Sequence, residues 1–336
     1  MSNRYVRKFK NNKRGYYSFI ILFILFFISM FSELIANDKP LFVYFKGGFY
    51  FPVCKSYPET VFGGTLKTET DYKDEYIKEL INKNGFMILP PVHYSYDTIN
   101  YKLDVPSPAP PSTENILGTD DQGRDVLSRI IYGFRISILF GLCLTVLSSI
   151  IGIFIGAVQG YFGGKIDLFM QRFIEIWSSL PQLFILILVC NIFTPSFTTL
   201  LIIMLFFSWT SLVSVVRAEF LKVRKMDYVK AAKALGVNDF VIIFRHILPN
   251  AVTAALSYFP FILSGAIVSL TALDFLGLGL PAGAPSLGEI LRQGKENLQA
   301  PWLGLSGFMI IAVMLCLLVF IGEAVRDAFD PRKEEK

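Results

Sequence analysis

The chain has 336 residues, of which 53% are hydrophobic, 15% aromatic and only 18% charged, with a formal net charge of +5. A soluble domain of this length exposes more charge, so the composition points to an integral membrane protein. The positive charge collects in short segments beside apolar runs, as membrane topology requires, and no nucleic-acid recognition motif accompanies it, which argues against nucleic acid as a partner.

Six apolar segments approach the ~20 residues needed to cross hydrocarbon. They lie near 16–34, 136–159, 174–194, 198–216, 251–273 and 303–323. The first follows the basic stretch "RYVRKFKNNKRG" and is left by "FSELIANDKP", which has no small-x-small cleavage site, so an uncleaved anchor is expected. Lys and Arg number six in residues 1–15, seven in 217–250 and four after 323. Six spans with the N-terminus inside place 1–15, 160–173, 217–250 and 324–336 in the cytosol, so every short basic segment falls on one side. Residues 35–135 then form an extracytoplasmic insertion. It joins aromatic strand-like pieces ("LFVYFKGGFYFPV"), an acidic helix-like piece ("DYKDEYIKELINKNG") and the Pro-rich linker "VPSPAPPS", and a partly ordered unit is expected.

Span two carries Gly152, Gly156 and Gly160 on one helical face, a pattern expected to pack closely against a neighbouring helix of the same bundle. The stretch 274–302 is rich in Gly and Pro and then amphipathic, which predicts a turn followed by a short helix. The middle of every span lacks an ionisable residue, which counts against an ion-coupled carrier. A passive channel remains the alternative to a protein driven from elsewhere. Its own ATP hydrolysis is argued against: in "GYFGGKI" Ile166 follows Lys165 where a phosphate loop needs Ser or Thr, and Gln159 stands where it needs Gly. Cys54, Cys143, Cys190 and Cys316 form no CxxC, and with only His93 and His246 as histidines no metal site or catalytic cluster can be assembled.

Between spans four and five lies "DYVKAAKALGVNDFVIIFRHILPN", residues 227–250. Asp227 is expected to cap a helix whose apolar face is Tyr228, Ala231, Ala232 and Leu235. Gly236 suits the left-handed position that ends it. Asn238 is expected to cap a second helix bearing Val241, Phe244 and Leu248, with Pro249 as its limit. Small residues leave a shallow surface that suits docking into a groove of another protein; a loop lying on the lipid face is the competing reading.

The stretch resembles the signature cytoplasmic loop of ABC-importer permeases, in which E-A-A and a Gly precede I-x-L-P. Ala231, Ala232, Gly236, Leu248 and Pro249 match, whereas Lys230 replaces the Glu and His246 the Ile. "LGTDDQGRDVLSRIIYGFRIS", "GYFGGKIDLFMQR", "DFLGLGLP" and "GEAVRDAFDP" are similar to the second permease subunit of dipeptide and oligopeptide importers, and "SELIANDKP", "YFP" and "FGG" to the subgroup linked to microcin C-like and longer peptides. The resemblance implies an all-α polytopic inner-membrane permease of six helices with a periplasmic insertion. It needs no cofactor of its own and takes peptides or peptide-like compounds as cargo. Its implied partners are a homologous permease, two cytosolic ATPase subunits and a periplasmic binding protein, and both termini are expected in the cytosol. The ATPase-coupling role is carried over to Asp227, Lys230, Ala231, Ala232, Ala234, Leu235, Gly236, Arg245, His246, Leu248 and Pro249, and the receiving surface for the binding protein to the insertion and 274–302.

Overall fold

The computed structural model describes residues 2–329, so the last part of the expected cytosolic tail, 330–336, lies outside the described residues. In chain order the elements are α1 (Ser2–Asn11), α2 (Lys13–Met30), α3 (Ser32–Ile35), β1 (Phe42–Phe45), β2 (Gly48–Tyr50), α4 (Glu75–Asn84) and β3 (Gly85–Ile88). There follow α5 (Val126–Phe162), α6 (Gly164–Ser178), α7 (Gln182–Ile192), α8 (Phe197–Ser208), α9 (Thr210–Val223), α10 (Asp227–Ala234), α11 (Asp239–Val241), α12 (Leu248–Phe275), α13 (Leu287–Glu296) and α14 (Pro301–Phe329). Among the described residues five helical stretches are long and apolar enough to cross a membrane: Lys13–Met30, Val126–Phe162, Phe197–Val223, Ala251–Phe275 and Pro301–Phe329; the bent pair α6 and α7, at the expected third span 174–194, makes six if it is one span. α6 and α7 meet at 66° across Ser179–Pro181, where Pro181 takes the N-cap of α7 and has no N–H with which to continue α6.

The chain divides into two compact units. The first comprises residues up to 23, 138–281 and those from 312 onward. Here Gly152, Gly156 and Gly160 of α5 lie flat against α9. A Cβ added to each would meet the Trp209 carbonyl at 2.8 Å, the Val213 carbonyl at 2.8 Å and the Phe220 Cβ at 2.4 Å. The glycine stripe is therefore an intramolecular helix–helix contact. A second cluster joins Phe140 and Leu144 of α5 to Leu186, Leu200, Met204 and Leu270.

The second unit comprises 24–137 and 282–311. Antiparallel strands in the order β2-β1-β3 are joined at one end by a two-residue turn, Lys46 (φ 47°) and Gly47 (φ 82°), both at the positive φ that tight hairpins require. The strands and α4 close over Val43, Phe45, Phe62, Tyr72, Ile77 and Ile81, all buried. Asp74 caps α4 by accepting from the Tyr76 N–H at 2.9 Å. Arg135 pairs with Glu33 at 2.9 Å, and the Tyr132 hydroxyl donates to the Ala36 carbonyl at 3.0 Å, tying α3 to the start of α5. The motif "LGTDDQGRD" folds into a buried ionic cluster: Asp120 pairs with Arg124 at 2.7 Å and stands 3.5 Å from Arg129. The fully buried Arg129 also donates to the carbonyls of Tyr96 and Ala284. A buried guanidinium is tolerated because these acceptors replace its water. The 274–302 stretch is a turn followed by α13, as its composition predicts.

Candidate docking elbow

α9 ends at Val223, and the chain then turns through Arg224–Met226 into α10. The N-cap of α10 is Met226, with no side-chain cap, so the expectation for Asp227 is corrected. Asp227 occupies the first helical turn, where its charge favours the helix dipole, and its carboxylate pairs with the Lys230 ammonium at 3.1 Å. Both groups face solvent, so the pair contributes little to stability. Lys230, standing where the family pattern has Glu, thus has an acidic partner on its own helix.

The inward face of α10 also differs from the expectation. Val229 and Ala232 are buried, while Tyr228, Ala231, Ala234 and Leu235 are exposed, Leu235 at 82%. The reason is tertiary. Val229 and Ala232, one turn apart, fill a cluster with Ala157 and Tyr161 of α5, Val216 and Phe220 of α9, and Ile242, Ile247 and Ala251 beyond the bend. The remaining apolar residues of the helix are left outside.

Gly236 is left-handed, with φ 74°. Its N–H donates to the Lys233 carbonyl at 3.0 Å, and the Val237 N–H to the Ala232 carbonyl at 3.1 Å, the two bonds of a Schellman ending. No heavy atom lies within 4 Å of a Cβ built there, so glycine is required for its backbone angle and not for space. Asn238 caps the next helix as expected, its Oδ1 accepting from the Phe240 N–H at 2.9 Å.

Pro249, expected to end that helix, does not. α11 passes through a π-helical turn, Ile242–Ile247, straight into α12, and Pro249 sits in the first turn of α12. A proline cannot donate to the carbonyl four residues back, and the widened turn accommodates its ring. Phe240 and Phe244 project outward, 70% and 53% exposed, their rings stacked 6.5 Å apart. Arg245 is exposed, and His246 and Leu248 are half-buried. Beside them a groove of about 380 Å³ runs between the end of α5 and α11, lined by Phe154, Val158, Phe162, Phe240, Phe244 and Leu248 among others.

Tyr161, at the end of α5, joins these parts. Its hydroxyl donates to the Asp239 carboxylate, the Lys233 ammonium lies 4.6 Å over its ring, and its carbonyl accepts from Arg224 at 3.1 Å. Nearby, Arg217 of α9 forms a bidentate pair with Asp167 of α6. Sequence reasoning assigned none of these residues a role, although Tyr161 lies inside the quoted "GYFGGKI". Gly163, in the same stretch, has a φ of 63°, the positive backbone angle that favours glycine where α5 ends beside Arg224. Among the described residues no group of three or more His, Cys, Asp or Glu side chains is placed to hold a metal. The arrangement has an anchored inner face, a partly exposed apolar outer face and a sharp bend between them.

The profile of the "Binding-protein-dependent transport system inner membrane component" family matches residues 129–335. The chain is 56% identical over 326 residues to an "Inner membrane ABC transporter permease protein YejE" of Escherichia coli, covering 97% of this chain and 96% of that one. It is 54% identical to a "Peptidoglycan transport system permease protein YejE" of Agrobacterium fabrum, covering 97% and 92%. An oligopeptide transport system permease protein, OppC of Lactococcus lactis, is 34% identical over 67% of this chain and 78% of its own length. Among solved structures, a chain of the MetNI methionine ABC transporter in an inward-facing conformation superposes with a TM-score of 0.51 at 14% identity, over 60% of this chain and 96% of that chain, a likeness of fold.

Proposed function

We propose, for a chain that belongs to the family of binding-protein-dependent transport system inner membrane components, that it passes peptides or peptide-like compounds inward through a pathway shared with a second, homologous permease. It is a permease subunit of an ATP-binding-cassette importer, a transport component and not a catalytic one. The names of its relatives, peptidoglycan transport and oligopeptide transport among them, support a peptide cargo.

In this reading two cytosolic ATPase subunits supply the work, and one of them grips the elbow from Asp227 to Pro249. The observation that carries it is the division of the elbow into two faces. Val229 and Ala232 are packed into the helical bundle, while Leu235, Phe240 and Phe244 are more than half exposed, the two phenylalanines beside the apolar groove at the end of α5. Apolar side chains grouped on a rigid bend are what a groove on a partner would take. The concentration of basic residues in 1–15 and 217–250 supports a cytosolic placement for the elbow and the N-terminus, and the tail after 323 for the C-terminus. The insertion and 274–302 then face the periplasm and receive the binding protein.

The test is Gly236→Val in the assembled complex. A β-branched residue is a severe outlier at φ 74°. Uptake should be lost and ATP hydrolysis uncoupled from it, with the subunit still expressed and assembled. Uptake at the wild-type rate would contradict the role. Deleting residues 40–100 should weaken docking of the binding protein, and unchanged docking would assign the insertion to another task.

A further inference from the structure

The insertion encloses a cavity of about 1040 Å³ that the importer reading does not use. It lies at the top of the usual range for ligand pockets, roughly 300–1000 Å³, and exceeds what a single small ion needs. Its walls mix six carboxylates with four lysines. Two ion pairs close on themselves, Lys39–Glu69 at 2.5 Å and Lys102–Glu75 at 2.8 Å. The other charged groups are not matched in this way. Lys78 lines the cavity, and its ammonium makes no ion pair or hydrogen bond among the described residues. Asp38, Asp71 and Glu114 accept from Thr98, the Lys73 backbone N–H and the Tyr94 hydroxyl and close no salt bridge, although all three attract the Lys73 ammonium.

The wall also holds a donor that the fold leaves unspent. The Tyr72 side chain is 3% exposed, with Thr70 beside its hydroxyl. The Lys73 ammonium is buried over the Tyr94 ring at 3.6 Å and donates to no acceptor. Buried polar groups are nearly always satisfied in folded proteins, so the Lys73 ammonium without an acceptor in the cleft wall points to a ligand group that would accept from it. At the edge Tyr101 stands 86% exposed, an aromatic ring with no packing role.

We propose that this cleft binds a short zwitterionic peptide, its carboxylate directed to Lys78, its ammonium to the carboxylates Asp38, Asp71 and Glu114, which close no salt bridge, and its chain covered by Tyr101. The proposal rests on the reading of the chain as a peptide importer. The excess of carboxylates disfavours a simple anion, and the absence among the described residues of three ligand side chains converging on one point disfavours a divalent cation. Separated charges of both signs with aromatic rings between them match the two ends and the body of a peptide.

The test uses the full-length chain in nanodiscs without ATPase subunits, and equilibrium dialysis of radiolabelled Ala-Ala-Ala, its N-acetyl form and its C-terminal amide. The free tripeptide should bind saturably, and either cap should weaken binding about tenfold or more, the loss expected for one charge-assisted hydrogen bond. Lys78→Gln should erase the preference for free acid over amide while keeping the penalty for acetylation. Tyr101→Ala, at an exposed site that cannot disturb folding, should weaken all three ligands alike. Absence of saturable binding, an acid-over-amide preference intact in Lys78→Gln, or wild-type binding by Tyr101→Ala would each overturn the site. Import of the tripeptide by the assembled complex without binding to the isolated chain would remove the site and leave the importer reading standing. Binding without import by the assembled complex would do the reverse.

Discussion

The elbow and the insertion solve opposite problems. The insertion closes one face of its sheet and α4 over a core in which Phe62 touches the rings of Phe45, Tyr50, Tyr57 and Tyr72, while Phe49, Phe51 and Phe86 stay more than half exposed on the other face. The elbow buries only Val229 and Ala232 of α10 and holds Leu235, Phe240 and Phe244 away from every core. One region holds a core of its own. The elbow has none apart from the bundle it leans on, and its outer apolar face has the pattern of a surface made for a second protein.

The contrast can be broken most forcefully from the insertion. Phe62→Ala should cost the insertion about 3–5 kcal/mol, the range for deleting a buried aromatic side chain, and should appear as lost hydrogen-exchange protection in α4 and β1. If protection persists, the aromatic cluster is not what holds the insertion. Next in size, Gly236→Ala should destabilise the bend by about 1–2 kcal/mol through its left-handed backbone alone, since the space beside it is open. It should be milder than Gly236→Val in uptake assays; equal effects would mean that the site senses bulk.

Tyr161→Phe removes the hydroxyl from Asp239 and should cost about 1–2 kcal/mol. Its expected signature is faster exchange in α10 and α11 with the bundle unchanged, and a uniform change across α5 and α9 would assign Tyr161 to general packing. Smallest in stability is Leu235→Ser, which should lie within about 0.5 kcal/mol of wild type yet weaken copurification of the ATPase subunits. Unimpaired copurification would leave the outer face without a partner.

Alkaline pH sharpens the comparison from the other side. Desolvation depresses the Lys73 ammonium to about 8, against the pull of Asp38, Asp71 and Glu114 and with help from Lys78. The unfolded chain keeps its lysines protonated to roughly 10.4. Across the window between these values the unfolded state binds the proton that the folded state has released, so the insertion should gain stability as pH rises. Exchange protection in α4 at pH 7 and 9.5, corrected for intrinsic rates, should show this gain, and Lys73→Met should abolish it. The elbow should not follow.

What local chemistry dictates was legible in the residues themselves. The apolar runs locate every span, because the length needed to cross hydrocarbon is a property of a single segment. Gly236 and Asn238 mark an ending and a beginning through rules that act over a few residues, and both marks hold. Pro181 was legible as well, yet it was read through, and the third span proved broken there. What escaped depends on neighbours distant in sequence. Tyr228 and Leu235 have the spacing of a buried face, but α5 and α9 accept Val229 and Ala232 instead, and nothing near residue 161 announces that Asp239 will meet it. Pro249 misled for a related reason. Its local rule is to stop a helix, and the π-helical turn before it supplied the one geometry in which the helix continues.

That continuation has a mechanical consequence. From Asp239 to Phe275 the backbone stays helical with no intervening loop, roughly 55 Å at the rise of an α-helix, and departs from regularity at the π-helical turn Ile242–Ile247 and at Pro260 inside α12. If work enters at the elbow as proposed, a push at Phe240 would cross these two places, and they would set how much of each stroke reaches the far end of α12.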